Sequence, residues 1–385
     1  MWRQLAAMPK IESLNNPSLL AAELPVPRLP DRSSPAFYSA LSAALQKRQI
    51  RHMPFHPGGH PPDDLQLAIH PADVPRLGPA FAELRQDGYR AVQTVKLGDG
   101  HFRLVFARQR NSELESAALD LRFHGAKQIA ARPGRRKPFR DATSGNSTFI
   151  VFLGPDGVGK TTLLRQISAD LAPLFAFQEI YRWRPGWIAP THHPACLPHS
   201  KPLRGFRGSI TYLLFSAADF FGGYLFEIRR RMCAPALVIF DRYYHDLLID
   251  PKRYRYNGPM WPARILGKLI PPRNVFFFVL DAEENAIFAR KQQLSLEEIK
   301  RQRAAYRGFA RTKRNSVVIE TDQPISRCRE QALEAVLQHL AERNQRLTAR
   351  WFGWPPQDQP DPEAAASARE AAQSGDRNPA LDPAV

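Results

Sequence analysis

Residues 149–167 join an apolar run of strand length, a glycine-rich octapeptide and a helical pattern with nothing in between. The run is Phe149-Ile150-Val151-Phe152-Leu153. The octapeptide, Gly154-Pro155-Asp156-Gly157-Val158-Gly159-Lys160-Thr161, fits the phosphate-wrapping pattern G-x-x-x-x-G-K-[ST]. Thr161-Thr162-Leu163-Leu164-Arg165-Gln166-Ile167 then opens a helix. Gly154 permits the sharp exit from the strand, and Gly157 and Gly159 let the backbone approach an anion with no Cβ in the way. The loop N–H groups and the helix N-terminus surround that anion. Lys160 would reach the β- and γ-phosphates of ATP, and the Thr161 hydroxyl would ligate Mg²⁺. Asp156, Val158 and Thr162 complete the ATP-binding stretch by position. The plainer alternative is a glycine turn with an incidental lysine.

The chain has 385 residues, room for two domains with ordinary cores. Hydrophobic content of 43% and aromatic content of 10% describe a globular protein. No apolar run reaches the ~20 residues a membrane span needs, and no apolar stretch at the N-terminus suggests a secretory signal. Cys196, Cys233 and Cys328 are scattered, which suits a reducing, cytoplasmic setting. The net charge of +17 is driven by arginine, in Arg229-Arg230-Arg231 and in 132–140, 301–314 and 343–350. These runs lack the interleaved aromatics of a single-strand platform, so nucleic acid is not expected as a partner. Solvated helix faces and an anion site account for them as well.

Composition divides the chain into an irregular lead-in at 1–33, a small α/β region at 34–131, a basic polar linker at 132–147, the loop-bearing domain at 148–350 and a Pro-, Ala- and Asp-rich tail at 351–385 expected to be disordered. Within 148–350, strands are predicted at 149–153, 179–181, 237–240, 275–280 and 317–320, with helical patterns between them. Apolar strands alternating with helices imply a parallel sheet buried on both faces. The fold class is therefore α/β: a parallel five-stranded sheet with the phosphate loop, preceded by a smaller α/β domain. Ser295-Leu296-Glu297-Glu298 reads as a capping box opening a helix that carries Arg301, Arg303 and Arg307. Leu333, Val336, Leu337 and Leu340 form the packing stripe of the last helix.

A second motif follows about 80 residues after Lys160: Leu237-Val238-Ile239-Phe240-Asp241-Arg242-Tyr243-Tyr244-His245-Asp246. A buried strand ending in an acid places Asp241 at the carboxyl edge of the sheet, where it can orient Mg²⁺ or touch an acceptor. Arg242 can fork onto a phosphoryl oxygen. The alternative is a strand followed by a polar turn.

Together these blocks resemble the thymidylate kinase-like group of P-loop kinases. The resemblance rests on Gly154 to Thr162, on Leu214 to Asp219 followed by Asp241-Arg242-Tyr243, and on Leu280-Asp281-Ala282-Glu283-Glu284 followed by Ala289-Arg290-Lys291 and Ile319-Glu320-Thr321-Asp322. It covers about residues 148–345. It implies an ATP- and Mg²⁺-dependent kinase with a mobile lid, in which Lys160, Asp241, Arg242 and Arg290 are catalytic. Lys291 and Arg301 would join Arg290 over the transferring group, and Arg242 and Tyr243 would face the acceptor; an exposed basic helix explains the lid arginines equally well. A homodimer is compatible with it.

The chain also departs from that family. Phe220 follows Asp219 where an arginine is usual, and Trp183-Arg184-Pro185-Gly186-Trp187 replaces an Arg-Glu-Pro segment. Arg184 would contact an acceptor anion and Trp183 or Trp187 would stack on a base or sugar, or the segment is a packed turn. The acceptor is thus left open between a nucleoside monophosphate and a sugar or sugar phosphate. His193, Cys196 and His199, with His192, have the spacing of a zinc site or of a polar substrate loop. Upstream, Gly58-Gly59, Asp64, Gln66 and Asp120 resemble a nucleotidyltransferase core in which a glutamine replaces the second metal-binding acid. That implies an inactive module, with plain packing as the alternative. The expected activity is phosphoryl transfer from ATP to a small acceptor; a nucleotide-operated switch or a nucleic-acid-associated ATPase are the other readings.

Overall fold

The computed structural model describes residues 35–54, 65–98, 100–123, 147–189, 199, 201–232, 235–272 and 274–354. Gly58, Gly59, Asp64, His192, His193 and Cys196 lie outside them. The first sheet collects β1 (His52–Pro54), β2 (Leu65–Ile69), β3 (Arg90–Gly98), β4 (His101–Arg110) and β5 (Glu113–Phe123) in the order β1-β2-β5-β4-β3. Only β2 and β5 pair in parallel; the other neighbours are antiparallel. Helices α1 (Pro35–Lys47) and α2 (Val74–Glu83) bury Phe37, Leu41, Leu77 and Phe81 against this sheet.

The second sheet comprises β6 (Thr148–Leu153), β7 (Phe177–Arg182), β8 (Ala236–Asp241), β9 (Phe276–Asp281) and β10 (Ser316–Glu320), ordered β10-β9-β6-β8-β7 and parallel throughout. Every residue of β6 and β9 is buried, as strands covered on both faces must be. The helices are α3 (Lys160–Leu171), α4 (Phe206–Gly222), running through a π-turn into α5 (Arg229–Arg231), α6 (Tyr244–Ile249), α7 (Met260–Leu269), α8 (Glu284–Arg290), α9 (Leu296–Thr312) and α10 (Ile325–Phe352). Ser295 caps α9 by accepting from the Glu298 N–H at 3.2 Å, as its motif predicts. The architecture is α/β, with a parallel five-stranded sheet that carries the glycine-rich loop after its central strand, and a smaller mixed sheet.

α10 lies between the sheets. Its Leu333, Val336, Leu337 and Leu340 share one core with Phe152 and Phe278 of the parallel sheet and with Val92 and Val105 of the mixed one. Arg90 forks onto Glu334 at 2.8 and 2.7 Å, and Asn344 donates to the Ala91 carbonyl at 3.0 Å. Four residues assigned to the disordered tail belong to this helix and its cap. Trp351 and Phe352 complete α10, and Gly353, at φ 70°, turns the chain so that Trp354 enters the mixed-sheet core. There the Trp354 indole donates to the Val74 carbonyl at 2.8 Å and meets Phe81 edge-on at 5.4 Å.

Trp354→Ala should therefore destabilise the mixed-sheet half by about 3–5 kcal/mol, the cost of removing a large buried side chain. Chemical denaturation followed by near-UV circular dichroism measures it. An unchanged midpoint would mean that α10 holds the mixed sheet without its last turn.

Candidate functional site

The parallel order places the carboxyl ends of β6 and β8 side by side. β6 stops at Leu153, and Gly154 takes φ 143° directly against β9: a Cβ there would lie 2.4 Å from the Leu280 carbonyl oxygen. Gly159, at φ 91°, is the N-cap of α3, and a Cβ at that position would meet nothing within 4 Å. The loop thus reaches a helix N-terminus with open space over it, where an anion is favoured by the helix dipole and the first N–H groups. Thr161 and Thr162 are exposed on the first turn of α3, whereas the Val158 side chain is buried beneath the loop. Thr321, just past β10, fixes the loop by donating from Oγ1 to the Val158 carbonyl at 2.8 Å.

Lys160 is buried and lies across the loop, donating to the carbonyls of Gly154 at 2.8 Å and Pro155 at 2.5 Å. Burial, and then repulsion from Arg242, pushes its amine down to about 7 against the pull of Asp156 and Asp241. Asp241 ends β8, and its Oδ1 is buried with no hydrogen-bond partner among the described residues. An orphaned carboxylate oxygen at the edge that carries Lys160 and Thr161 fits the donor set Mg²⁺ takes.

Arg242 follows in a left-handed conformation, φ 71°, with its N–H on the Phe152 carbonyl at 2.9 Å. This conformation costs about 1–3 kcal/mol in a non-glycine residue, so the surroundings must hold it. They do so through the guanidinium. Nη1 donates to both Asp246 oxygens at 2.9 and 2.7 Å, and Nη2 to Asp156 at 2.5 Å. Asp246 also accepts from the hydroxyls of Tyr254, at 2.7 Å, and Tyr306. Asp156 pairs in addition with Arg253, and Lys291 stands 4.0 Å away. Burial alone would raise the Asp156 carboxyl, but Arg242, Lys160 and Arg253 outweigh it and hold the group far below the usual carboxylate range. Asp246 is likewise lowered, by Arg242 and Arg253 against burial.

The loop thus gathers Lys160, Asp156, Asp241, Arg242 and Lys291. Arg253, Asp246, Tyr254 and Tyr306 belong to the same cluster and were not singled out in the sequence. Arg290 is set off from it. α8 ends at Arg290, whose Nη2 donates to the Thr321 carbonyl at 3.2 Å, while Lys291 turns to the loop. Arg301, Arg303 and Arg307 are occupied by Glu298, Asp281 and Glu320.

Tyr243 requires a correction as an acceptor contact. Its ring is 1% exposed among Phe149, Phe220 and Phe240, and its hydroxyl donates to the Pro271 carbonyl at 2.5 Å. The left-handed turn at Arg242, just past the end of β8, brings Tyr243 into the core as the N-cap of α6. Arg184 is committed as well: its Nη1 lies 2.9 Å from the buried Asp219, which also accepts the N–H groups of Gly186 and Ile188. Trp183 stacks on Tyr254 at 4.5 Å and parallel to Tyr212 at 5.9 Å. Trp183 and Arg184 are thus packed, whereas Trp187 is 48% exposed and stacks on Phe226 at 5.2 Å. His199 lies 3.1 Å from Asp250, and no metal-ligating cluster occurs among the described residues. Asp120 is gripped by Arg103 through two bonds of 2.6 and 2.9 Å, so its charge is already offset.

No family model matches this chain, and no curated protein does. Among solved structures it is similar to a thymidylate kinase from Ehrlichia chaffeensis, at 18% identity and a TM-score of 0.36, over 50% of this chain and 99% of that one.

Two variants test the electrostatics. Asp156→Asn leaves Arg242 and Arg253 short of a buried counter-charge and should cost about 3–5 kcal/mol in chemical denaturation at neutral pH. A loss below about 1 kcal/mol would show that Asp246 alone suffices. His245, buried beside Phe277 and Phe309, is lowered to about 3 by burial and then by Lys313. Below pH 6.5 the unfolded chain takes up a proton that the folded one refuses, so stability falls as the pH drops from 6.5 towards 3. Between pH 7 and 5 this single group accounts for about 2 kcal/mol. His245→Leu should lose that much less stability over the same interval, and an equal loss in both proteins would contradict a neutral His245.

Proposed function

We propose that this protein transfers the γ-phosphoryl group of ATP to a small acceptor, a nucleoside monophosphate or a sugar or sugar phosphate. The observation that carries the reading is the meeting, at one sheet edge, of Lys160, the open N-terminus of α3 and the unpartnered Asp241 oxygen. Thr161 and Asp241 would hold Mg²⁺, which supplies charge neutralisation at phosphoryl oxygens. Lys160 would exchange the loop carbonyls for β- and γ-phosphate oxygens and would be protonated by their charge. Lys291, next to the loop, is the better candidate than Arg290 for the cation over the transferring group. Arg242 would act by fixing Asp156 and the loop. Phosphoryl transfer asks for this kind of placement and charge more than for covalent chemistry.

A second reading, a switch operated by ATP occupancy, draws on another observation. Arg242, Arg253, Arg303 and Arg307 are all bound to internal carboxylates, which reduces the cations available to an acceptor.

ATP consumption with Mg²⁺, measured against a panel of nucleoside monophosphates, sugars and sugar phosphates, separates the two. Stimulation by one acceptor supports the kinase; tight ATP binding without stimulation by any of them supports the switch. Lys160→Ala should lower turnover on the order of 10²-fold or more, and Lys291→Ala should cost more than Arg290→Ala. Wild-type turnover in Lys160→Ala would remove the loop from the chemistry.

A further inference from the structure

α7 leaves a continuous apolar stripe uncovered. Trp261 is 66%, Ile265 50% and Leu269 47% exposed, and their spacing of four aligns them along one face. The opposite face is docked: Ala263 is fully buried, and Gly267 lies against Leu248 and Tyr244. Arg264 and Lys268 are also exposed. At about 3.6 residues per turn, the exposed arc reads Arg264, Lys268, Trp261, Ile265, Leu269, with cations along one edge and apolar groups along the other. No Asp or Glu occurs between Pro251 and Leu280, and the whole chain carries +17. The apolar surface also has neighbours. Leu203 and Phe206, 45% and 65% exposed, sit on a segment bonded to the turn before α7, through Arg204 N–H to the Arg255 carbonyl at 3.0 Å and Asn257 N–H to Ser209 at 3.0 Å.

We propose that α7 is a docking helix for an anionic lipid surface. It would lie in the plane of the interface, with Trp261, Ile265 and Leu269 at the headgroup–acyl boundary and Arg264 and Lys268 against lipid phosphates. Tryptophan is favoured at that depth because its body is apolar and its N–H polar. A bilayer offers both chemistries side by side. Nucleic acid would satisfy the cations and leave the stripe facing phosphate. A second copy meeting this face about a two-fold axis would bring like charges together, with no carboxylate on the segment to offset them. No described helix is long and apolar enough to cross a membrane, and a docking helix need not be.

The test is co-sedimentation of the full chain with phosphatidylcholine vesicles, with and without phosphatidylglycerol. Wild type should partition about tenfold more strongly onto the anionic vesicles, and less as salt rises. Trp261→Ser with Ile265→Ser, and separately Arg264→Glu with Lys268→Glu, should each reduce that binding about tenfold. Charge reversal at the exposed Arg311 and Arg314 of the α9 end should leave it within about twofold. Both α7 variants change exposed groups, and unaltered circular dichroism confirms their fold. Equal binding by wild type and the Trp261→Ser, Ile265→Ser variant would overturn the proposal, because basic segments elsewhere would then account for adsorption. No preference for anionic vesicles would overturn it too. So would a dimer, seen by sedimentation without lipid, that this variant dissolves, since the stripe would then be a self-interface.

Discussion

One carboxylate inside the glycine-rich loop, Asp156, organises the candidate site. Asp156 pairs with Arg242 and Arg253, and Arg242 passes the connection to Asp246, which gathers Tyr254 and Tyr306. Five stretches of chain meet there: the loop, the turn after β8, α6, the turn before α7, and α9. The two carboxylates offset the two guanidiniums, so the network is close to neutral within itself. That balance allows four charges to be buried, since an unpaired charge at this depth would cost several kcal/mol. Lys160 stands outside the balance. Burial, and then repulsion from Arg242, depresses its amine to about 7.

α10 extends this order to the mixed sheet. It packs its apolar stripe on the parallel sheet while its flank meets β3, and Arg329 ties it to Asp170 of α3 through two bonds of 2.6 Å. The helix that presents Lys160 is thus braced from behind by a helix shared between both sheets. Within the mixed sheet, Asp120 pairs with Arg103 across β4 and β5.

Features that are local in the chain were legible in the sequence. The glycine-rich loop, the capped start of α9 and the five parallel strands are set by neighbouring residues, glycine geometry and apolar runs, and they lie within a few residues of their predicted bounds. Features that depend on register or on where an element stops were not. Arg253 meets Asp156 across 97 residues, and nothing near either one announces it. Arg290 and Lys291 are adjacent and chemically alike, but α8 ends between them and sends one to Thr321 and the other to the loop. Tyr243 follows an acid and an arginine that do line the site, and its own side chain points the other way. Trp351 to Trp354 precede a proline-rich stretch, and only their burial against Phe81 and Phe102 distinguishes them from it.

The commitments of the arginines bear on what kind of cation the reaction would use. A guanidinium held by a buried carboxylate keeps its place, as Arg242 does between Asp246 and Asp156 and Arg184 does against Asp219. Such groups are suited to fixing a framework. Lys160 and Lys291 are point charges on flexible stems. Lys160 bonds only to neutral carbonyls, and Lys291 stands 4.0 Å from its nearest carboxylate and is 42% exposed. A phosphoryl group in transfer needs charge that can follow it from donor to acceptor, and a lysine follows more readily than a clamped arginine. On the proposed reading, arginines and aspartates would fix the loop and the two lysines would meet the ligand.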